Sequence, residues 1–295
     1  MSRLRAALGA LRPAQWLKNA PVLAGIVFGR RIGDGAAVRH VATTLVAFCL
    51  VASAGYLVND VVDVEADRAH PLRRRRAIAE GRLPVRAALV LAAALALAAA
   101  GLATFVPTGA RLDLLAYAAL TLAYTFLLRR AAAVGVLAIA GGFVLRADVG
   151  ARAAEVAPSA WLLALTGVLA LAFAVGKREA DARRDAGIAP RALVRATDAL
   201  LALAGLGYLA YGFSPDTVAL HGTRLLPLTA LPVLAALARF RRRLRASTAG
   251  EGPAELIAGD RVLVALGILW AVACIVVLGL VVRTTTLTII VRDTR

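Results

Sequence analysis

The stretch VATTLVAFCLVASAGYLVNDVVDVEAD, residues 41–67, decides the fold class, because an apolar run ends in a series of carboxylates. The run has the length of a helix that crosses a bilayer, about 20 residues. The rest of the chain has the same character, since 60% of its 295 residues are hydrophobic and its mean hydropathy is +0.76. A soluble core of this size could not bury so much apolar surface. This excludes a water-soluble enzyme, a secreted disulfide scaffold and a disordered chain.

Further apolar stretches predict an all-α integral membrane protein, a bundle of nine transmembrane helices forming one domain over residues 1–295. The predicted spans are 17–33, 38–58, 86–106, 112–128, 132–150, 159–176, 197–213, 223–240 and 262–282. Loop charges orient them, because Lys and Arg concentrate on the cytoplasmic side. With nine spans, one side holds 25 of these residues and the other holds 10. We therefore expect a multi-pass protein of the plasma membrane, with a cytoplasmic N-terminus and the C-terminus outside.

The net charge of +17 is consistent with this orientation and with anionic substrates. We expect no nucleic-acid partner, because the basic residues follow the loop pattern of a membrane protein. Whether the protein forms a homo-oligomer is left open.

Arg146 lies at the outer end of the fifth span, where we expect its side chain to extend to the membrane–water interface. Pairing with an acid such as Asp148 is the alternative.

The acidic motif after the second span contains Asp60, Asp63 and Asp67, spaced so that a helix would place them on one face. Asn59 borders that face. Three neighbouring carboxylates repel one another unless a cation lies among them. Mg²⁺ is the natural candidate, because it takes oxygen ligands and bridges carboxylates to substrate phosphates. The alternative is a solvated acidic helix end, but charges at a membrane helix end usually mark function.

Four arginines, Arg73 to Arg76, follow this motif. Arginine binds phosphate oxygens in a bidentate manner, so the run predicts phosphate binding next to the metal site. A basic run in a cytoplasmic loop is also a common topology signal, and this alternative remains open for each arginine.

A second charged stretch, GKREADARRD (176–185), ends the sixth span. Lys177 and Arg178 lie at the predicted membrane edge. Asp181 and Asp185 are four residues apart and would share a helix face, whereas Glu179 would lie off that face. Ordinary surface pairing is the alternative. Two such stretches suggest one cytoplasm-facing pocket for magnesium and diphosphate. The chemistry that fits is departure of diphosphate from a carbon atom.

The pattern NDxxDxxxD after the second span resembles the UbiA prenyltransferase superfamily, over nearly the whole chain. One branch of it, the decaprenyl-phosphate phosphoribosyltransferases, is resembled more closely. The stretches that carry this likeness are RPAQWLKN (12–19), the first motif with its His-Pro and basic run (59–84), LLRR with GFVLRA (127–130, 142–147), GKREAD (176–181) and also the tail segment GDRVLVALGILW (259–270). Compared with that branch, Arg129 replaces a lysine, Ala77 replaces a proline, and an expected aspartate near Gly135 is missing.

The resemblance implies transfer of 5-phosphoribose from phosphoribosyl pyrophosphate to a polyprenyl phosphate for cell-wall synthesis, with Mg²⁺ as cofactor. The implied metal ligands are Asp60, Asp63 and Asp67. The implied catalytic residues are Asp60, Asp63 and Lys177. The implied substrate-binding residues are Lys18 (with Gln15 and Asn19 nearby), Asn59, Arg73, Arg74, Arg76, Arg178, Asp181 and Asp185. Lys18 would face the acceptor phosphate, and Arg73, Arg74 and Arg76 the 5-phosphate.

Two alternatives remain at this stage. The first is a prenyltransferase that moves an isoprenoid from its diphosphate to an aromatic or other acceptor, because the spacing of Asp181 and Asp185 resembles the second motif of those enzymes. The second is a transporter or assembly protein in which the charges form a structural network. The acids lie at predicted cytoplasmic helix ends, whereas transporter sites tend to lie at the bilayer midplane.

Overall fold

A computed structural model describes residues 3–71, 73–247 and 252–293 of the chain. The regular secondary structure in these ranges is helical, which confirms the predicted all-α fold. By its internal contacts the chain divides into two compact units, residues 1–159 and 160–295, called here the first half and the second half. That the chain is one domain remains a prediction.

The first half is built from α-helices joined by short 3-10 segments. Its α-helices are α1 (Arg3–Ala10), α2 (Ala24–Phe28), α3 (Gly35–Val62), α4 (Val64–Ala69), α5 (Val85–Ala103), α6 (Thr108–Phe126) and α7 (Ala132–Ala153). The helix α3 begins at an Asp34 cap, whose carboxylate accepts the backbone N–H groups of Ala36 (2.8 Å) and Ala37 (3.2 Å). These two bonds lower the pKa of Asp34. Phe48 of α3 is fully buried against Tyr117 of α6, with ring centroids 4.1 Å apart.

The segment Pro13–Leu23 is a 3-10 helix packed on α7. The approach is close, because a Cβ on Gly150 would lie 1.9 Å from the carbonyl oxygen of Val22. The predicted first span, 17–33, is therefore wrong as one long helix. The chain is in the 3-10 form to Leu23, with Pro21 inside, and α2 continues for only five residues. Proline has no N–H for a helical hydrogen bond, so it disfavours a continuous α-helix.

Arg146 of α7 holds the segment Pro13–Leu23 by a hydrogen bond to Asn19. The expectation that its side chain extends to the membrane–water interface is wrong. Arg146 is only 5% exposed, and it donates to Asn19 Oδ1 (2.9 Å), the Gly142 carbonyl (2.7 Å) and the Tyr117 hydroxyl (2.7 Å). Its guanidinium also lies 4.6 Å from the Tyr117 ring centroid. A buried cation is stable here because aromatic faces and fixed acceptors replace water.

The second half contains α8 (Ala160–Ala186), α9 (Arg191–Phe213), α10 (Pro215–His221), α11 (Ala230–Ala246), α12 (Pro253–Ala258) and α13 (Arg261–Asp293). Its core is formed where α8, α9 and α11 meet, with Phe240 and Leu244 buried among smaller side chains such as Ala172 and Ala180. Asp260 caps α13 by accepting the N–H groups of Val262 and Leu263.

Among the described residues, six helices are long and apolar enough to cross a membrane, namely α3, α5, α7, α8, α9 and the Arg261–Gly279 part of α13. They match six of the predicted spans. The predicted span 223–240 falls in a broken pair, Pro215–His221 and Leu226–Ala246, which bends by 100°. The span 112–128 is mostly the helix α6, which includes Arg111 and Asp113 and is outside this set. A bundle of nine spans and the orientation of the termini therefore stay unconfirmed.

Candidate active site

The acidic motif occupies the junction of α3 and α4. Asp60 lies in the last turn of α3, Asp63 stands between the two helices, and Asp67 lies in α4. The carboxylates of Asp60 and Asp67 are both withdrawn from solvent, with residue exposures of 4% and 1%. Buried carboxylates need partners, since an unpaired buried charge is strongly unfavourable. The partners of these aspartates therefore define the site.

Arg76 joins two of the three aspartates. Its Nη1 lies 3.1 Å from Asp60 Oδ1 and 2.7 Å from Asp67 Oδ2. The three aspartates do not lie on one continuous helix, because α3 ends at Val62 and α4 begins at Val64. The loop that presents Arg76 is anchored by Ile78 and Leu83, which are buried in a core cluster with α3 and α5. Of the four arginines in the run, Arg76 contacts the motif, whereas Arg73 to Arg75 are exposed on a 3-10 turn.

Asp63 has a different partner. Its Oδ1 accepts from Arg129 Nη1 at 2.6 Å, and its Oδ2 accepts from the Asn59 amide at 3.1 Å. Arg129 stands on the short 3-10 segment Leu128–Arg130 between α6 and α7. In sequence Arg129 stood out only as the residue that replaces a lysine, and the structure brings it into the site.

Arg12 is the residue that sequence reasoning missed. Its Nη2 lies 2.5 Å from Asp60 Oδ1, and its guanidinium carbon lies 5.2 Å from the Tyr56 ring centroid. The backbone there is left-handed (φ 53°, ψ 58°). The available signal was the stretch 12–19, from which the prediction selected Lys18. Lys18 lies on the same 3-10 segment and is half-buried.

The two residues predicted near Lys18 differ in environment. Asn19 is 1% exposed and binds inward, donating to Cys49 Sγ (3.1 Å) and accepting from Arg146, so its amide is engaged in packing. Gln15 has a buried Oε1 without a hydrogen-bond partner. The prediction that Asn19 helps to face an acceptor phosphate is therefore not supported by its contacts, while Gln15 retains an acceptor to satisfy.

The site fits a divalent cation in one specific respect. Asp67 Oδ1 is buried and has no hydrogen-bond partner, although the other oxygen of this carboxylate is bound by Arg76. An unsatisfied buried oxygen is unfavourable by about 1–3 kcal/mol or more, and an oxygen-seeking cation would satisfy it. Within the described ranges, no group of three His, Cys, Asp or Glu side chains could hold a metal by itself. The three aspartates of the motif do not form such a group here, since each is paired with an arginine.

The second charged stretch lies at the end of α8. Asp181 Oδ1 is 3.4 Å from both Lys177 Nζ and Arg184 Nη1, and Arg184 Nε donates to Asp185 Oδ1 at 2.8 Å. Arg184 therefore contacts both Asp181 and Asp185. Lys177 and Asp185 are exposed, and Arg178 is half-buried. These side chains offer cations and carboxylates at a helix end.

Glu179, predicted only to lie off that face, is completely buried. Its oxygens accept from Arg241 Nη1, each at 2.8 Å, and from Arg183 Nη2 at 2.5 Å. Arg241 also binds Asp198 of α9, so the end of α8 is tied to α9 and α11. This network fixes the helix from which Lys177 and Asp181 project.

The long apolar helices define a multi-pass helical membrane protein, and its charged side chains form arginine–carboxylate clusters at helix ends. The UbiA prenyltransferase family matches residues 19–256. A decaprenyl-phosphate phosphoribosyltransferase of Mycolicibacterium smegmatis is 34% identical over 284 residues, 88% of each chain. One of Mycobacterium tuberculosis is 32% identical over 273 residues, 88% of this chain and 90% of that one.

Among solved structures, a UbiA homologue from Archaeoglobus fulgidus bound to GPP and Mg²⁺ is similar, with a TM-score of 0.69 and 18% identity over 93% of this chain and 99% of that one. At this identity the likeness concerns the fold alone. The chain belongs to the UbiA prenyltransferase family.

Proposed function

We propose that this protein is a phosphoribosyltransferase that moves 5-phosphoribose from phosphoribosyl pyrophosphate to a polyprenyl phosphate and releases diphosphate. The observation that carries the proposal is the set of three guanidinium groups, Arg12, Arg76 and Arg129, around the acidic motif. The names of the curated relatives support the same reaction. The product would serve as a lipid-linked arabinose precursor for cell-wall synthesis.

In this proposal the acidic motif holds Mg²⁺ through Asp60, Asp63 and Asp67. The buried free oxygen of Asp67 supports such a role. Bound Mg²⁺ would neutralise the charge that develops on the leaving diphosphate. Solved relatives of the same fold carry this ion, which is consistent with the assignment.

The arginines supply the remaining positive charge. Arg76, with the exposed Arg73 and Arg74 beside it, would bind the 5-phosphate of the donor, because arginine pairs with phosphate in a bidentate manner. Lys18 would bind the acceptor phosphate. In the second half Lys177, Arg178, Asp181 and Asp185 remain the proposed contributors to donor binding. We place the site on the cytoplasmic face of the plasma membrane, the side that the loop charges favour.

The reaction balances without a dedicated base. An oxygen of the acceptor phosphate attacks C1 of the ribose, a C–O bond forms, and the bond from C1 to the diphosphate breaks with its electron pair on the leaving group. The acceptor phosphate is already anionic at neutral pH, so no proton has to be removed from the nucleophile.

A transfer assay tests the proposal. Purified protein in detergent is given Mg²⁺, ribose-labelled phosphoribosyl pyrophosphate and decaprenyl phosphate, and label is counted in the organic phase. We expect transfer that is lost on addition of a chelator and reduced at least roughly 100-fold in Asp60→Asn. The matched control is Glu65→Gln, since Glu65 is exposed and paired with Arg68. Absence of transfer by folded wild-type protein would contradict the proposal.

A prenyltransferase is the second candidate, favoured by one observation. Asp181 and Asp185 are four residues apart and share Arg184, an arrangement that resembles the second acidic motif of those enzymes. The same assay distinguishes the two, because a prenyltransferase would consume a prenyl diphosphate in the presence of an aromatic acid and leave the labelled ribose in the aqueous phase.

A further inference from the structure

One oxygen of the acidic motif is shared by two arginines. Asp60 Oδ1 is 2.5 Å from Arg12 Nη2 and 3.1 Å from Arg76 Nη1. Arg76 has a second carboxylate partner in Asp67, at 2.7 Å. If a divalent cation takes Asp60 Oδ1, Arg76 therefore retains Asp67 as a carboxylate partner, whereas Arg12 loses its ion pair with Asp60. Of the two arginines on Asp60, Arg12 is therefore the one that loses its carboxylate partner.

The backbone of Arg12 is in the left-handed region (φ 53°), which residues other than glycine rarely adopt. Ser53 of α3, which is fully buried, fixes the residues around it: its hydroxyl donates to the Leu11 carbonyl (2.9 Å) and accepts from the Trp16 indole (3.0 Å). The surroundings thus impose a strained conformation that aims the guanidinium at the acidic motif. Such strain is typical of functional positions.

The balance of charges around the acidic motif gives the Arg12 guanidinium a role in binding diphosphate. The contacts pair three carboxylates with three guanidinium groups, so a divalent cation bound by the carboxylates would leave an excess of positive charge. A diphosphate group neutralises such an excess, and a guanidinium released from a carboxylate can bind a phosphate through two parallel hydrogen bonds. Side-chain exposure of 27% leaves Arg12 reachable from solvent.

We propose that Arg12 is a diphosphate-binding residue that Asp60 holds in place until a divalent cation takes that carboxylate. The inference rests on the donor site of the proposed function, but it concerns cation and diphosphate binding and does not depend on which group is transferred. It makes Arg12 a competitor of the cation and a ligand of the anion. Removing it should therefore shift the two affinities in opposite directions.

The experiment measures both affinities in Arg12→Gln. Binding of Mn²⁺ is followed by loss of the free-ion electron paramagnetic resonance signal, and binding of inorganic diphosphate is measured by calorimetry at saturating Mg²⁺. We expect the Mn²⁺ Kd to fall about threefold, because a partly exposed competing charge is removed. We expect the diphosphate Kd to rise roughly tenfold or more, because a charge-assisted contact is lost. Arg86→Gln, an exposed arginine at the start of α5, removes the same charge and should change neither.

Weaker binding of both ions in Arg12→Gln would indicate a merely structural role and would overturn the proposal, as would unchanged diphosphate affinity. Arg12→Lys covers the case in which the glutamine variant does not fold: it keeps the charge and loses the bidentate geometry. It should leave Mn²⁺ binding near wild type and weaken diphosphate binding, and wild-type diphosphate affinity would refute the inference. If Arg12→Gln shifts the two affinities in opposite directions as expected but the wild-type protein transfers no phosphoribose, the proposed function fails and this inference stands.

Discussion

Glu179→Ala tests whether the buried network at the end of α8 holds the second half together. Glu179 is 0% exposed and accepts three hydrogen bonds from two arginines. Removing one partner of a buried ion pair is destabilising by about 3–5 kcal/mol, because the other charge is left uncompensated. Arg241 keeps Asp198 and the Arg183 side chain is 21% exposed, so we expect the lower end, about 3 kcal/mol. That is roughly a 100-fold change in the folded-to-unfolded ratio.

The assay is equilibrium unfolding in mixed micelles of increasing SDS fraction, followed by far-ultraviolet circular dichroism. Glu65→Ala is the matched control, because the Glu65–Arg68 pair is exposed and a surface pair contributes about 0–1 kcal/mol. The double variant Glu179→Leu, Arg241→Leu should recover much of the loss, since apolar side chains of similar volume can replace a buried pair. Equal small losses in Glu179→Ala and Glu65→Ala would refute the reasoning.

Three further predictions use the same unfolding measurement. Gly150→Ala should lose about 1–3 kcal/mol or more, because its Cβ would overlap the backbone at Val22, while Gly101→Ala, which meets nothing within 4 Å, should not; equal effects would be inconsistent with the close approach. Arg146→Lys should lose about 1.5–3 kcal/mol, since lysine cannot reach all three acceptors, and wild-type stability would show that they do not matter. The hydrogen bond from Arg239 lowers the pKa of Asp260, so the stability it supplies is complete above the ordinary aspartate pKa and is lost as pH falls through the lower folded value. The difference in stability between wild type and Asp260→Asn should therefore be constant above about pH 5 and shrink as the pH falls below about 3.9, and a difference that stays constant there would contradict this.

Local patterns in the sequence predicted the parts of the structure that depend on nearby residues. The apolar run 38–58 predicted a helix, and α3 (Gly35–Val62) confirms it. The shared helix face of Asp60, Asp63 and Asp67 stays a prediction, because the helix is interrupted at Asp63. The first span was predicted wrongly because its apolar composition suits a span, whereas Pro21 and the contact with α7 favour a 3-10 helix. Hydropathy measures apolar composition, but it does not register the effect of a proline or of packing against another helix.

The partners of the charged residues could not be predicted, because they come from distant segments. Arg12 reaches Asp60 across 48 residues of sequence, Arg129 reaches Asp63 across 66, and Arg241 reaches Glu179 across 62. The spacing of residues along one helix gives no information about pairs between distant segments. The available signal was the presence of charges in otherwise apolar stretches, which is unfavourable in a membrane unless the charges are paired or functional.

The most direct measurement of the central claim is the identity of the lipid product when both donors compete. Purified protein in detergent, with Mg²⁺, receives phosphoribosyl pyrophosphate, a prenyl diphosphate, decaprenyl phosphate and an aromatic acid together, and the lipid extract is analysed by mass spectrometry. The account predicts a decaprenyl phosphate that has gained one phosphoribose, absent in Asp60→Asn and present in Glu65→Gln. A prenylated aromatic acid with no phosphoribosylated lipid would contradict it.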